Sequence, residues 1–391
     1  MTTPLRIANF MDSSLEALER KGNLSHALAL YNPRGIAEKV IHFTPFPADS
    51  RYAGRFAEAG VDVVPFFIGR TRGILGSAAA VPAALVKVVA TMRRERITLV
   101  RGRAPYFGSL LGAIAGRLLG IPTVVSLGGD NRLVQVREQR YYFGSRWLSF
   151  GMEWLVLRLA NAIIVPNQFT RDYVAAIIGK RAAHRKATVI PWILERMLDE
   201  QRSPAPVEPT ALGLDPATPY VLIVGHLNHY KFSKEMFDVA ADVLARRPGA
   251  LQFVFCGDGH LRPEGERRFA GVPGVRFMGW QPNETVLGLM LGAAAILIPM
   301  SGFVLLEAAA LGRPVLVSDI EWHREMVTEG VSGWLLPPQS PSLWVERLIW
   351  LLDHQAAAAA AGARLRERFL EAYTPAAAFA AEAQLYARLT A

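Results

Sequence analysis

Short apolar runs alternate with longer amphipathic stretches along the whole chain, and this alternation limits its fold more than any other feature. Short runs that are apolar throughout suit strands buried on both faces, and the stretches between them suit the helices that cover such strands. In the first half the strand candidates are Leu5–Phe10, Val40–Phe43, Val61–Phe66, Thr98–Val100, Thr123–Leu127, Ala162–Val165 and Thr188–Ile190. Helical stretches lie between them, among them Leu15–Leu30, Val81–Arg96, Ser109–Leu119 and Trp147–Leu159. Strands and helices in alternation build βαβ units, so the expected class is α/β with parallel sheets.

At 391 residues the chain exceeds one ordinary core, and its composition shifts once. Pro204, Pro206, Pro209, Pro216 and Pro219 crowd one segment, which reads as a linker over 201–219. A second series follows: Tyr220–Val224, Leu251–Cys256, Val275–Met278, Ala294–Ile298, Val315–Val317 and Trp334–Leu336, then helices near Leu343–Leu352, Ala356–Phe369 and Ala376–Leu389. The expected domains are 1–200 and 220–374. The stretch from Thr285 to Leu306 has no charge and is long enough to suggest a membrane span. Its glycines and Pro299 break it into a helix, a strand and a second helix from Phe303, so it reads as core. The opening Pro4–Phe10 reads as a first strand and is too short for a secretory signal. One cysteine, Cys256, allows no internal disulfide and fits a reducing, cytoplasmic setting.

Charge divides the chain. Residues 1–200 carry 27 Lys and Arg against 15 Asp and Glu, and the remainder carries 16 against 19. A basic first half points to phosphates or an anionic surface such as the inner face of a membrane. Arg70 to Arg103 combines many cations with an apolar Val81–Leu85–Val88–Met92 face, the candidate for such a surface. Nucleic acid is not expected, because no zinc-finger spacing, RNP-like motif or Lys/Arg run accompanies the charge.

Five stretches carry chemistry. In Ser301-Gly302-Phe303-Val304-Leu305-Leu306-Glu307 a strand ends, a small-residue loop follows, and a helix begins. Its first backbone N–H groups suit an anion, and Glu307 lies one turn inside. Taken alone, the segment also reads as a helix with a surface glutamate. In Val224-Gly225-His226-Leu227-Asn228-His229-Tyr230-Lys231, a strand delivers Gly225 and a polar loop carries Lys231, a mobile point charge suited to diphosphate or simply a solvated lysine. Cys256-Gly257-Asp258-Gly259 follows another strand. It is no dinucleotide fingerprint, since Arg262 stands at the third glycine position. Met278-Gly279-Trp280 ends a further strand. In the first half, Arg101-Gly102-Arg103-Ala104-Pro105 precedes a helix and the strand ending Ser126-Leu127-Gly128-Gly129-Asp130.

Together these segments, with Ala308 to Pro314, Glu325-Met326-Val327, Gly330, Gly333 and Pro337-Pro338, resemble glycosyltransferase family 4. The resemblance is good from Tyr220 to Pro338, moderate from Ala104 to Ile193, and limited to strand order in the first hundred residues. It implies a GT-B fold: two Rossmann-like domains with parallel sheets facing a central cleft, the helix 375–391 returning to the first domain. It implies transfer of a sugar from a nucleotide-sugar to an acceptor hydroxyl with retention, in glycan, cell-surface polysaccharide or glycolipid synthesis. The acceptor would be a glycan or lipid-linked. By resemblance Glu307 holds the ribose, Lys231 neutralises the leaving diphosphate, and Gly279 and Trp280 lie where the base is read. Gly302, Phe303 and Val304 supply N–H donors, while Gly225 and Gly128 allow close approach. Asp130, with Arg101 and Arg103, is the candidate for the acceptor side. No metal or other cofactor is expected, since no Asp-x-Asp pair or clustered His/Cys set is present. The chain departs from the pattern at His226 (Arg expected, its charge replaced only by a protonated imidazole), Phe232 (Gly), Gly128 (His) and Pro299 (Glu). The first-strand loop, Asn9 to Ser14, also lacks the family's glycine pair. Those departures keep open a catalytically silent relative acting as partner or scaffold, or a nucleotide-sugar epimerase. A dinucleotide oxidoreductase is disfavoured, because no first-strand G-x-G-x-x-G exists.

Overall fold

The computed structural model describes residues 4–11, 36–46, 53–58, 60–66, 74–137, 141–142, 144–192, 204–300, 302–373 and 375–391, with Glu16 and Glu19. Apart from those two glutamates, the expected helix Leu15–Leu30 lies outside the described residues, as does the first-strand loop beyond Met11. The chain forms two compact units, Met1–Pro191 with Ala376–Ala391, and Trp192–Pro375.

The first unit is built on β1 (Arg6–Met11), β2 (Lys39–Thr44), β3 (Val61–Pro65), β4 (Leu99–Arg103), β5 (Thr123–Ser126), β6 (Ala162–Val165) and β7 (Ala187–Val189). They lie in the order β3-β2-β1-β4-β5-β6-β7, and every pair is parallel. β4 runs past the expected Val100 to Arg103, because Arg101 is a buried residue of the strand rather than the start of a loop. Its guanidinium is ion-paired to Glu382, also buried, on the helix Pro375–Thr390. The Tyr386 hydroxyl donates to Glu382, and the Arg101 guanidinium lies 5.6 Å from the Tyr386 ring centre. Arg101 thus serves packing within this unit, which corrects its reading as an acceptor-side residue.

The helix Ile74–Arg94 covers one face of this sheet, with Arg93 and Arg94 in the last turn where the helix dipole favours cations. Val88 and Met92 are fully buried in a core with Phe10, Phe43 and Val100, and Leu85 packs against it. The apolar stripe expected to meet a membrane is therefore the core face of the helix, a correction that follows from ordinary amphipathic packing.

The second unit is built on β8 (Tyr220–Val224), β9 (Gln252–Cys256), β10 (Val275–Gly279), β11 (Ala295–Ile298), β12 (Val315–Ser318) and β13 (Trp334–Leu336). Their order is β10-β9-β8-β11-β12-β13, again all parallel. The proline-rich segment is packed onto this unit. Val207 N donates to Gly288 O at 3.3 Å, and Pro209–Leu212 forms a 3-10 turn. The Asp215 carboxylate accepts from Ala217 N at 2.9 Å and Thr218 Oγ1 at 2.8 Å. The uncharged run divides as expected into the helix Asn283–Gly292, β11 and the helix Phe303–Ala310. Among the described residues no helix is long and apolar enough to cross a membrane.

Candidate functional site

In the second unit the strand order reverses between β8 and β11, which are hydrogen-bonded neighbours. In open parallel sheets the loops after the strands at such a switch point diverge and leave a crevice at the carboxyl edge. The loop after β8 carries Gly225, His226 and Lys231, and the loop after β11 leads to Gly302, Phe303, Val304 and Glu307. The second-half candidates thus converge on one edge of one sheet.

The loop after β8 is held by its own side chains. Asn228 Oδ1 accepts from Lys231 N at 2.8 Å, closing the 3-10 turn His229–Lys231. Asn228 N donates to Ser233 Oγ at 3.0 Å at the start of the helix Ser233–Arg246. The lysine ammonium lies 5.3 Å from the Tyr230 ring centre. His226 is exposed, with Nδ1 3.3 Å from Asp258 O.

Gly257-Asp258-Gly259 explains itself by contact. Gly225 N donates to Cys256 O, and Leu227 N to Asp258 O, both at 3.0 Å. A Cβ on Gly257 would sit 1.9 Å from Gly225 O, and one on Gly259 would sit 2.3 Å from Leu227 O. The two glycines therefore let one loop backbone lie against the other. What they do here is hold the Lys231 loop. Gly257 N also donates to Gly279 O at 2.8 Å, which ties in the end of β10, beyond which Trp280 is 57% exposed.

On the other side of the switch point, Glu307 is 3% exposed and its Oε1 accepts from Asn283 Nδ2 at 2.9 Å. A buried carboxylate held in this way is no surface residue, and burial without such partners would be costly. Val304 is buried and Phe303 partly exposed. Gly302 precedes the helix and contributes no side chain. The Trp192 indole lies where its Cβ would be, 2.6 Å from the nearest ring atom. Trp192 stacks on Phe303, with ring centres 5.2 Å apart, and meets Trp322 edge-on. Pro299, where the resemblance expects a glutamate, is fixed through its carbonyl, which accepts from Ser318 Oγ. The buried His323 Nδ1 lies 2.8 Å from Ser318 O, so that nitrogen carries the proton and donates.

Sequence reasoning missed Asn283, Trp192 and His323. Asn283 had a signal: Asn283-Glu284-Thr285 after Pro282 is the polar first turn of a helix, and the apolar pattern starts only at Val286. Trp192 acts through Phe303 and Trp322, far from it in sequence, and gave none; His323 meets Ser318, five residues before it, in a pattern with no distinctive sequence signal.

In the first unit the corresponding reversal lies between β1 and β4. Arg103 Nε donates to Asn9 Oδ1 at 3.3 Å, and Asn9 Nδ2 donates to His42 Nδ1 at 3.2 Å, with Asn9 and His42 fully buried. Burial, with Arg103 nearby, holds the His42 imidazole far below its ordinary value, at about 3. After β5, Gly128 is exposed, and Asp130 caps the helix Asn131–Arg137, its Oδ1 accepting from Leu133 N at 2.8 Å.

The profile described as glycosyl transferases group 1 matches residues 218–354, and that of glycosyltransferase family 4 matches residues 23–192. An alpha-D-kanosaminyltransferase of Streptomyces kanamyceticus is 26% identical over 363 residues, 88% of this chain and 90% of that protein. A D-inositol 3-phosphate glycosyltransferase of Nocardia farcinica is 31% identical over 181 residues, 43% of this chain and 39% of that protein. Among solved structures, Anabaena HepE in complex with UDP superposes with a TM-score of 0.73 at 16% identity, covering 98% of this chain and 99% of that one.

Proposed function

Because the chain is a GT-B glycosyltransferase that resembles family 4, we propose that it moves a sugar from a nucleoside diphosphate donor to an acceptor hydroxyl with retention. The acceptor would be a growing glycan or a lipid-linked sugar, in cell-surface polysaccharide or glycolipid synthesis. One observation carries the donor reading. Lys231, on the loop after β8, and Glu307, in the first turns of the helix after β11, are the two family positions kept here, and they flank the switch point of the second sheet. The UDP-bound state of the HepE structure supports a donor of this class.

In this reading charge builds on the leaving diphosphate as the anomeric carbon becomes cationic, and preorganised positive potential lowers that barrier. Lys231 would supply a full charge, and the free N–H groups of the Gly302–Val304 helix start would add to it. His226, on the same loop as Lys231, would contribute only when protonated. Glu307, oriented by Asn283, takes the ribose hydroxyls. Gly279 and Trp280 border the base, and Gly225 allows the phosphates to approach the backbone. No metal is needed when these groups carry the neutralisation. Asp130 is committed through Oδ1 to its helix, so it would meet the acceptor through its second oxygen, near Gly128.

A silent relative is favoured by a specific feature, the loss of the expected charges at His226 and Pro299. A thermal-shift series with nucleoside diphosphates and their sugars, followed by product analysis, separates the readings. A raised melting temperature with one donor class and an α- or β-configured product matching the donor are expected. Stabilisation without transfer to any acceptor would favour the silent relative, and no stabilisation by any nucleotide would remove the donor site itself.

A further inference from the structure

The helix Arg146–Leu159 packs on the first unit through Met152, Glu153, Val156 and Leu157. Its opposite face is apolar as well. Trp147 is 84% exposed and Leu148 64%; two turns on, Trp154 is 45% exposed and Leu155 37%, with exposed Gly151 one turn along between them. These positions share one stripe of the helix. Two indoles and two leucines on one outer face are far from the polar surface expected of a solvent-facing helix.

Cations close both ends of the stripe. Arg146 precedes it, its guanidinium 5.3 Å from the Phe150 ring centre. At the far end Arg158 lies 5.6 Å from the Trp154 ring centre, and Lys186 Nζ donates to Arg158 O and Ala160 O, each at 2.7 Å. Burial, with Arg117, Arg158 and Arg185 around it, holds the Lys186 ammonium below the usual lysine range. Arg185 also lines an open groove of about 1010 Å³, where Arg171, Lys180 and Arg181 outnumber the one acid, Asp172.

We propose that the outer face of Arg146–Leu159 lies in the interface of an anionic lipid bilayer, with Trp147, Leu148, Trp154 and Leu155 inserted and the flanking cations on the headgroups. Tryptophan favours the boundary between acyl chains and headgroups, and arginine can bury its stem while its charge stays with phosphate. The charge selects the occupant. A second copy of the same face would bring clusters of one sign together, whereas an anionic surface complements them at both ends of the stripe. This surface does not depend on the donor-site reading, and it replaces the Val81–Met92 face that the fold buries.

Flotation with phosphatidylcholine vesicles, and with vesicles that also contain phosphatidylglycerol, tests the proposal on the full chain. Wild type should float with the anionic vesicles only, and its tryptophan emission should shift to the blue. W147S/W154S changes two exposed residues, so it should keep its melting temperature and weaken binding by roughly tenfold or more. R158E should weaken binding and flatten its salt dependence, while nucleotide stabilisation stays as in wild type in each variant. Three outcomes would overturn the proposal: no flotation of wild type, flotation unchanged in W147S/W154S, or a wild-type dimer in sedimentation velocity that this variant abolishes.

Discussion

Phe232 has a left-handed backbone, at φ 54°, where a glycine would sit without strain. The conformation costs about 1–2 kcal/mol, and burying the ring, worth about 3–5 kcal/mol on truncation, outweighs it. The departure from the family pattern therefore leaves the loop before it defined, with Lys231 fixed by the Asn228 cap. If Lys231 meets a charge that grows in the transition state, Lys231→Ala should lower kcat on the order of a hundredfold with little change in nucleotide Kd. Glu307→Gln should do the reverse, weakening nucleotide binding first; steady-state kinetics with calorimetric titration distinguishes the two, and equal effects on Kd would move Lys231 out of the reaction. His42 shows a different residue-scale effect. Its neutral form is held down to about 3 in the fold, against an ordinary value near 6.5. Below about 6.5 the unfolded chain takes up the proton and the folded chain does not, so stability is lost as pH falls through that window. Between neutral pH and about pH 5 this group alone should cost about 2 kcal/mol. Denaturant unfolding at the two pH values should show that loss in wild type and a smaller one in His42→Gln. At this scale the sequence showed which residues could carry charge, and it did not show burial. Glu307 reads either as a surface glutamate or as a ribose contact, and Arg101 and Asp130 read as acceptor-side groups, until their partners Asn283, Glu382 and Leu133 are in place.

Elements were more legible, and for a physical reason. Strands buried on both faces are apolar throughout, so β8 and β13 coincide with their expected bounds and β11 differs by one residue. Helices were hidden where their first turn is polar, as at Asn283, and β4 was cut short because a buried ion pair places arginine in a core strand. Gly257-Asp258-Gly259 could be denied as a dinucleotide motif from Arg262, yet its role appears only when the loop after β8 is seen lying on it. That contact makes a prediction about an element rather than a side chain. Gly257→Ala must place a Cβ 1.9 Å from Gly225 O at φ 148°, so the loop bearing Lys231 has to move. A loss on the order of 2 kcal/mol or more is expected, together with weaker nucleotide binding. Gly249→Ala is the control: its φ is also positive, at 72°, with nothing within 4 Å of the new Cβ, and it should cost only about 1 kcal/mol. Equal melting-temperature losses in both variants, with nucleotide affinity unchanged, would mean that the glycine contact does not position the loop.

For the molecule as a whole, the first unit is assembled from both ends of the chain, since Ala376–Ala391 belongs with Met1–Pro191. Nothing in the alanine-rich periodicity of the last helix says which unit it joins; the family resemblance implies the first, and Arg101, a cation inside a core strand, calls for an acid from elsewhere. The helix Pro375–Thr390 supplies Glu382, and Tyr386 completes the cluster by donating to the same carboxylate. Burial disfavours each charge by itself, so Arg101 and Glu382 depend on one another. Glu382→Ala leaves the guanidinium buried without its partner and should destabilise the first unit by about 3–5 kcal/mol. Replacing both, Arg101→Met with Glu382→Leu, removes the charges together and should recover most of that loss, as apolar replacements of buried pairs often do. The effect should also be local. Hydrogen exchange in Glu382→Ala should accelerate in β4 and β5, while β8 and β9 keep their protection, because local opening follows the contacts that were lost. Uniform acceleration across both units would show instead that the two unfold as one and that the terminal helix stabilises the whole chain. A double variant no better than the single would assign the loss to packing around Tyr386 rather than to the orphaned charge.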